Sequence, residues 1–277
     1  MTDVDKGVEA SFFYRSGLAG LFSLGTGYVA RIPLPVFLRP LAFRWFAGVF
    51  GIRVDEAEFS LSSYRSFDHF FTRGLNPQAR VIAPDGVVSP LDSVVLAHGP
   101  VVSGMTIQAK GIAYSVSALV GGPDTYEDGA MMTFYLSPKD CHRVFAPDAG
   151  VIEEVRWIPG QLFPVREPYI SGFPGLYTRN ERVVLILRTS RGRLAVVMVG
   201  AFNVGRVSLS FDPEFITHRF AREMQVKRYV SPLPIQKGEW LGTFHLGSTV
   251  VMIGEKGAFL PKAQGWVAPV QYGNALE

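Results

Sequence analysis

The sequence predicts a mainly β protein, α+β overall: a barrel-sandwich-like core of antiparallel strands with an N-terminal α-helical arm. Three observations carry that expectation. From about residue 80 onward, short β-branched runs recur between Gly and Pro punctuation, at a spacing that suits an antiparallel sandwich or barrel better than alternating βα units. In the first 55 residues the texture is different, and Pro33, Pro35 and Pro40 break it into two helical blocks. The two regions also differ in charge, since residues 10–54 hold five arginines and no Lys, Asp or Glu. The expected division is an arm over 1–58 and a β-rich domain over 59–277.

In chain order, the arm's helices are expected near 11–30 and 38–50. Arg15, Arg31, Arg39, Arg44 and Arg53 share the stretch with Phe12, Phe13, Phe22, Phe37, Phe43, Trp45, Phe46 and Phe50. No window there reaches the ~18 uncharged apolar residues of a transmembrane helix. The opening "MTDVDKGVEA" is acidic and unlike a signal peptide. Arginine with aromatic and aliphatic residues in helical blocks fits a segment lying in a headgroup layer. Against an anionic surface the five arginines would supply at most ~5 kcal/mol. The alternative is a helical hairpin packed on its own domain, with the arginines on the wet side. Next, "SLSSYRSFDHFFTRGL" at 60–75 spaces Tyr64, Phe67, Phe70 and Phe71 at three and four, as an amphipathic helix would, with Gly74 near its end. Strands are then expected in "GVVSPLDSVVLAHGPVV", "MMTFYLS", "GVIEEVRWIPG", "ERVVLILRTS", "RLAVVMVGAFNVGRVSL" and "TVVMIG", interrupted by one short helix at 114–121.

Composition narrows the function. Hydrophobic residues make up 48% of the 277 and charged ones 18%, a lean surface that points to apolar area held against a partner or a lipid layer. The single cysteine, Cys141, excludes an internal disulfide framework and a multi-cysteine zinc site, and a reducing setting is the simplest reading. Histidines at 69, 98, 142, 218 and 245 offer no close metal-ligand spacing, so no metal is expected. Basic residues are not interleaved with aromatics across the β region, which argues against a nucleic-acid surface.

Three segments put reactive side chains beside turn signals: "SPLDS" with Asp92, "YLSPKDCHRVFAPDAG" with Asp140, Cys141 and His142, and "HLGST" with Ser248. Ser, His and Asp are the ingredients of an activated serine. The plain alternatives are turn caps, a surface histidine and a strand-start hydroxyl. A G-x-S-x-G elbow is absent because Ser248 is followed by "TVV". Cys141 and His142 are adjacent and would face opposite ways in a strand.

Read together, "FFTRGLNPQARVI", "QAKGIAYSVSALV", "YLSPKDCHRVFAP", "WIPGQLFPV", "TRNERVVLIL", "VMVGAFNVGRV" and "KGEWLGTFHLGSTVVM" resemble the phosphatidylserine decarboxylases, in the family's own order over about residues 60–255. The resemblance implies a self-cutting proenzyme that breaks between Gly247 and Ser248 of its Leu246-Gly247-Ser248-Thr249 motif. Ser248 would become a pyruvoyl group, whose Schiff base with the lipid's serine head group releases CO2 and leaves phosphatidylethanolamine. It also implies a heterodimer of the two cleavage fragments, often paired further, held peripherally on the cytoplasmic side of the cell membrane against its anionic surface. A glycine at 247 leaves its carbonyl open to attack by the Ser248 hydroxyl, which accounts for small residues where a strand would prefer bulk. Asp92 matches the family's charge-relay aspartate. His142 matches the first histidine of its Y-H-R-x-H segment, tied to decarboxylation as proton donor or substrate contact, a task suited to an unperturbed imidazole near pKa 6.5.

Two positions depart from the family pattern. The second histidine of that segment, assigned to self-cleavage, is Phe145 here, and Cys141 replaces the usual tyrosine. Loss of a general base costs about 10²–10⁴ in rate. His142 serving both steps, His245, or a histidine folded in from elsewhere (His98 or His218) would restore it. Residues 245 and 248 would face opposite ways in one regular strand. An uncut, non-catalytic lipid-binding relative and a decarboxylase of a different serine phospholipid remain the alternatives.

Overall fold

The computed structural model describes residues 18–107, 112–165, 169–202, 206–215, 217, 223–245, 248–261 and 266–277. Two helices form the arm: α1, described over Leu18–Arg31, and α2, Arg39–Phe50. Residues 11–17 of the first expected helix lie outside the described residues. Pro40 sits in the first turn of α2, where its missing N–H costs nothing, and Gly51 ends the helix in the left-handed region at φ 73°. The α2 ridge Phe43–Ala47 is buried against Ile52, Tyr64 and Phe70, with Phe43 and Phe70 stacked at 5.0 Å. The opposite ridge, Phe37, Leu41, Trp45 and Val49, is exposed, from 57% at Val49 to 80% at Phe37. No described helix is long and apolar enough to cross a membrane.

The single helix expected over 60–75 is not formed. A 3-10 turn at Leu61–Ser63 is followed by extended backbone at Tyr64, and helix α3 covers only Phe67–Phe71. Ser66 resets the chain: its Oγ accepts the His69 N–H at 3.2 Å as an N-cap. The aromatic spacing was real as packing, since Tyr64 and Phe70 share one small core with Phe43. Gly74 is no helix cap. A Cβ there would meet the Glu58 carboxylate at 2.2 Å and the Arg143 guanidinium at 2.5 Å.

From there the chain is β-rich, as the sequence predicts. The strands are β1 Ser93–Pro100, β2 Met105–Ile107, β3 Ala113–Ser115, β4 Ala130–Leu136, β5 Arg143–Phe145, β6 Gly150–Ile158, β7 Arg182–Thr189, β8 Gly192–Gly200, β9 Val207–Leu209, β10 Gln225–Ile235, β11 Trp240–Phe244, β12 Ser248–Gly254 and β13 Pro269–Val270. Short helices α4, Val116–Val120, α5, Tyr169–Gly172, and α6, Leu176–Arg179, lie between them. Eight strands form one antiparallel sheet in the order β10-β6-β7-β8-β12-β4-β1-β13, and β5-β11-β9 form a second. The second sheet lies on β8: a Cβ at Gly242 would meet Met198 Cε at 3.3 Å.

Strand β12 sits in the middle of the large sheet, and Thr249 to Ile253 are fully buried. That explains a nearly unbroken apolar run rather than an alternating one. Its first residue, Ser248, pairs with Gly200 on β8 and Leu136 on β4. The strand therefore begins where the chain crosses from the small sheet, at the end of β11, into the large one.

Candidate active site at the head of the central strand

Leu246 and Gly247 lie outside the described residues, and Ser248 is placed by its backbone at the head of β12. Three of the sequence-predicted positions converge on that end of the fold. Val94, Tyr135 and Thr249 face one another across β1, β4 and β12, so Asp92 and Ser248 share one end of the sheet. Two strand spacings, ~10 Å, separate their backbones. The loop leaving Leu136, opposite Ser248, carries Asp140, Cys141 and His142, and the His142 carbonyl accepts the Phe244 N–H at 3.0 Å.

Asp92 is buried and fully engaged. Arg80 donates Nε to one oxygen at 2.9 Å and Nη2 to the other at 2.5 Å, while the Tyr272 N–H donates to Oδ1 at 2.9 Å. Arg80 Nη2 also donates to Glu56 at 2.8 Å. Asp92 is thus held by an arginine, and among the described residues no histidine reaches it. With Arg73, Arg80 and Asp140 it lines a cleft of about 280 Å³.

His142 differs from the unperturbed, surface-type histidine expected. It is fully buried with its ring against Phe71, 3.9 Å between centroids. Burial, helped by the charge of Arg73, pushes its pKa down to about 3. The ring is therefore neutral at pH 7. Its Nδ1 donates to the Asp140 carbonyl at 2.9 Å, which leaves the lone pair on Nε2, a buried atom without a partner. A buried acceptor left open costs about 1–3 kcal/mol unless something fills it.

Phe145 stacks on Tyr272 at 3.8 Å, the same tyrosine whose N–H holds Asp92. The two family positions are thus neighbours through Tyr272, without an imidazole between them. His98 is remote. It pairs with Met132, which pairs with Met252, four residues or ~13 Å along β12 from Ser248. Its Nε2 accepts the Trp266 N–H at 3.1 Å. His218 lies outside the described residues.

His245, one of the bases considered from the sequence, has a partner that the sequence did not reveal, Asp68. His245 Nδ1 donates to the Asp68 carboxylate at 2.9 and 3.2 Å, and its Nε2 accepts the Ser208 hydroxyl at 3.0 Å. Burial raises the Asp68 carboxyl, but the hydrogen bond and charge of His245 outweigh it and hold Asp68 below the usual carboxylate range. Asp68 carries no motif of its own, and 177 residues separate it from His245, so no local pattern pairs them. Among the described residues no cluster of three or more His, Cys, Asp or Glu could hold a metal ion.

Comparison with known proteins bears on the family of the chain. A family model described as phosphatidylserine decarboxylase matches residues 67–276. Two similar curated proteins are named phosphatidylserine decarboxylase proenzyme. That of Myxococcus xanthus (strain DK1622) is 39% identical over 245 residues, 87% of this chain and 85% of the relative. That of Anaeromyxobacter sp. (strain K) is 40% identical over 241 residues, 85% of each chain.

Proposed function

The chain belongs to the phosphatidylserine decarboxylase family, and from that premise we propose that it removes the serine carboxylate of phosphatidylserine as CO2, leaving phosphatidylethanolamine, after cutting itself between Gly247 and Ser248. The observation that carries the reading is "LGST" at the head of the buried central strand, where the chain passes between sheets. A pyruvoyl group derived from Ser248 would supply an electrophilic ketone and a sink for the electrons released with CO2.

The residues around it fit that use. His142 is kept neutral, so its Nε2 can accept a hydrogen bond from the lipid's amine without adding positive charge beside it. Arg80 grips both oxygens of Asp92 and fixes the carboxylate in place, as a charge-relay role requires. Full burial with the ring against Phe71 keeps water away from His142. The exposed α2 ridge with Arg44 supports a peripheral seat for the 1–58 arm on an anionic, cytoplasmic membrane face, as do Tyr28, Val29 and Ile32 lying open on α1 and just after it.

Phe145 favours a second reading, an uncut lipid-binding relative, because Asp92 has an arginine and a backbone N–H as partners where the family pattern pairs it with a histidine. One experiment separates the two. The purified protein is weighed intact under denaturing conditions and then supplied with phosphatidylserine vesicles. The proposal expects two pieces, residues 1–247 and a blocked 248–277, and CO2 release. A single uncut chain that binds vesicles and releases no CO2 refutes it in favour of the binding protein. Release only from another serine phospholipid reassigns the substrate.

A further inference from the structure

Self-cleavage needs a base for the Ser248 hydroxyl, and the candidates are unequal. Phe145 has no lone pair to offer. His142 has one, but a pKa near 3 makes it a poor proton acceptor at neutral pH. His98 is ~13 Å along the strand, with its Nε2 already used.

His245 is built differently. Its Nδ1–H points at a carboxylate, so the tautomer is set and the lone pair sits on Nε2. That lone pair already faces a hydroxyl, that of Ser208 at 3.0 Å. Carboxylate, imidazole and hydroxyl in series are the parts of an activated serine. The side chain is 14% exposed, where His142 is fully buried. His245 stands three residues before Ser248, which bounds the Cα separation at about 10 Å. The expectation that 245 and 248 must face opposite ways assumed one regular strand. Strand β11 ends at Phe244 and β12 starts at Ser248 in another sheet, so strand alternation does not govern the pair.

We propose that His245, oriented by Asp68, is the base that takes the Ser248 hydroxyl proton during self-cleavage, replacing the imidazole absent at Phe145. This rests on the self-cleavage reading above. The Oγ proton passes to Nε2 as Oγ bonds to the Gly247 carbonyl carbon. The Gly247–Ser248 C–N bond then breaks, and Nε2 returns the proton to the leaving amine. The result is an ester isomeric with the starting amide, and nothing is consumed or released. Ser208 is the resting partner of Nε2, one hydroxyl exchanged for another. Asp68 is a positioning residue, acting only through His245.

The test follows the cut itself, by pulse synthesis of the full chain in a cell-free system with anionic vesicles, then denaturing mass analysis over time. H245Q is expected to slow the cut by about 10²–10⁴. D68N should slow it at least tenfold, with D68E partly restoring it. The double variant F145H/H245Q, which supplies an imidazole at the family's position, should recover the cut. Melting temperatures are measured on the same variants. H245Q cut at the wild-type rate overturns the inference and leaves the self-cleavage reading standing. Slowing that merely tracks a fallen melting temperature also overturns it, as a structural effect. A wild-type chain that never cuts refutes the self-cleavage reading, and this inference with it.

Discussion

His142 should make this protein acid-labile in a way that one substitution removes. Its imidazole is neutral when folded, with pKa about 3, while in the unfolded chain it titrates near 6.5. Between those values the unfolded state binds the extra proton, so stability contributed by the neutral ring is complete above pH 6.5 and is lost as pH falls. From pH 7 to pH 4.5 the loss covers two units below 6.5, at 1.36 kcal/mol each, or about 2.7 kcal/mol. At roughly 2–4 °C per kcal/mol for a chain of this size, that is about 5–10 °C in Tm. The assay is thermal unfolding of S248A and S248A/H142Q, one-piece chains, at pH 7, 5.5 and 4.5. Asp68, Asp124 and Glu154 also have lowered carboxyl pKa values and lose stability on acidification. They do so in both chains, so the difference between the two pH slopes isolates His142. The H142Q chain should lose about 5–10 °C less than its parent between pH 7 and 4.5. Parallel slopes would refute the buried, neutral histidine.

Two further outcomes follow from contacts described above. Arg80→Met leaves the carboxylate of Asp92 with only the Tyr272 N–H, and breaking such a buried pair costs about 3–5 kcal/mol, so Tm should fall by at least ~6 °C; a fall under ~2 °C would show the pair to be dispensable. L41D/W45D removes two side chains from the exposed α2 ridge, and co-sedimentation with anionic vesicles should weaken at least tenfold, about 1.4 kcal/mol, with an unchanged melting temperature; unaltered sedimentation would place the membrane contact elsewhere.

The sequence showed some elements and concealed others for physical reasons. Strands β7, β8 and β12 were legible because burial on both faces demands apolar runs rich in β-branched residues, and β4 and β6 by apolar stretches between turn signals. Strand β10 was not, since it is a sheet edge bearing Lys227, Arg228, Pro232 and Pro234, with Val230 in water, and its pairing slips between Arg228 and Leu233. Strand β11, Trp-Leu-Gly-Thr-Phe with Gly242 paired to β9, carries no β-branched run to mark it. The aromatic spacing at 64–71 reported a shared core and was misread as one helix, because three-and-four spacing does not tell a helix from a bent chain that buries the same rings. At the site, motif order brought Asp92, His142 and Ser248 to light. The charge state of His142 is set by Phe71 and Arg73, and the grip of Asp68 on His245 spans most of the chain, so neither leaves a local signature.

The position of β12 has a mechanical consequence. A cut before Ser248 puts the sheet's middle slat in the smaller piece, between β8 on one side and β4 on the other. Removing that piece would take β13 with it, split the sheet into a four-strand and a two-strand slab and expose both flanks. Such a break severs the chain without loosening the body, much as a keystone stays in its arch after the mortar is scraped away. The short piece has no route to leave except through unfolding of the whole, and a fresh copy added from outside should find no vacancy to enter.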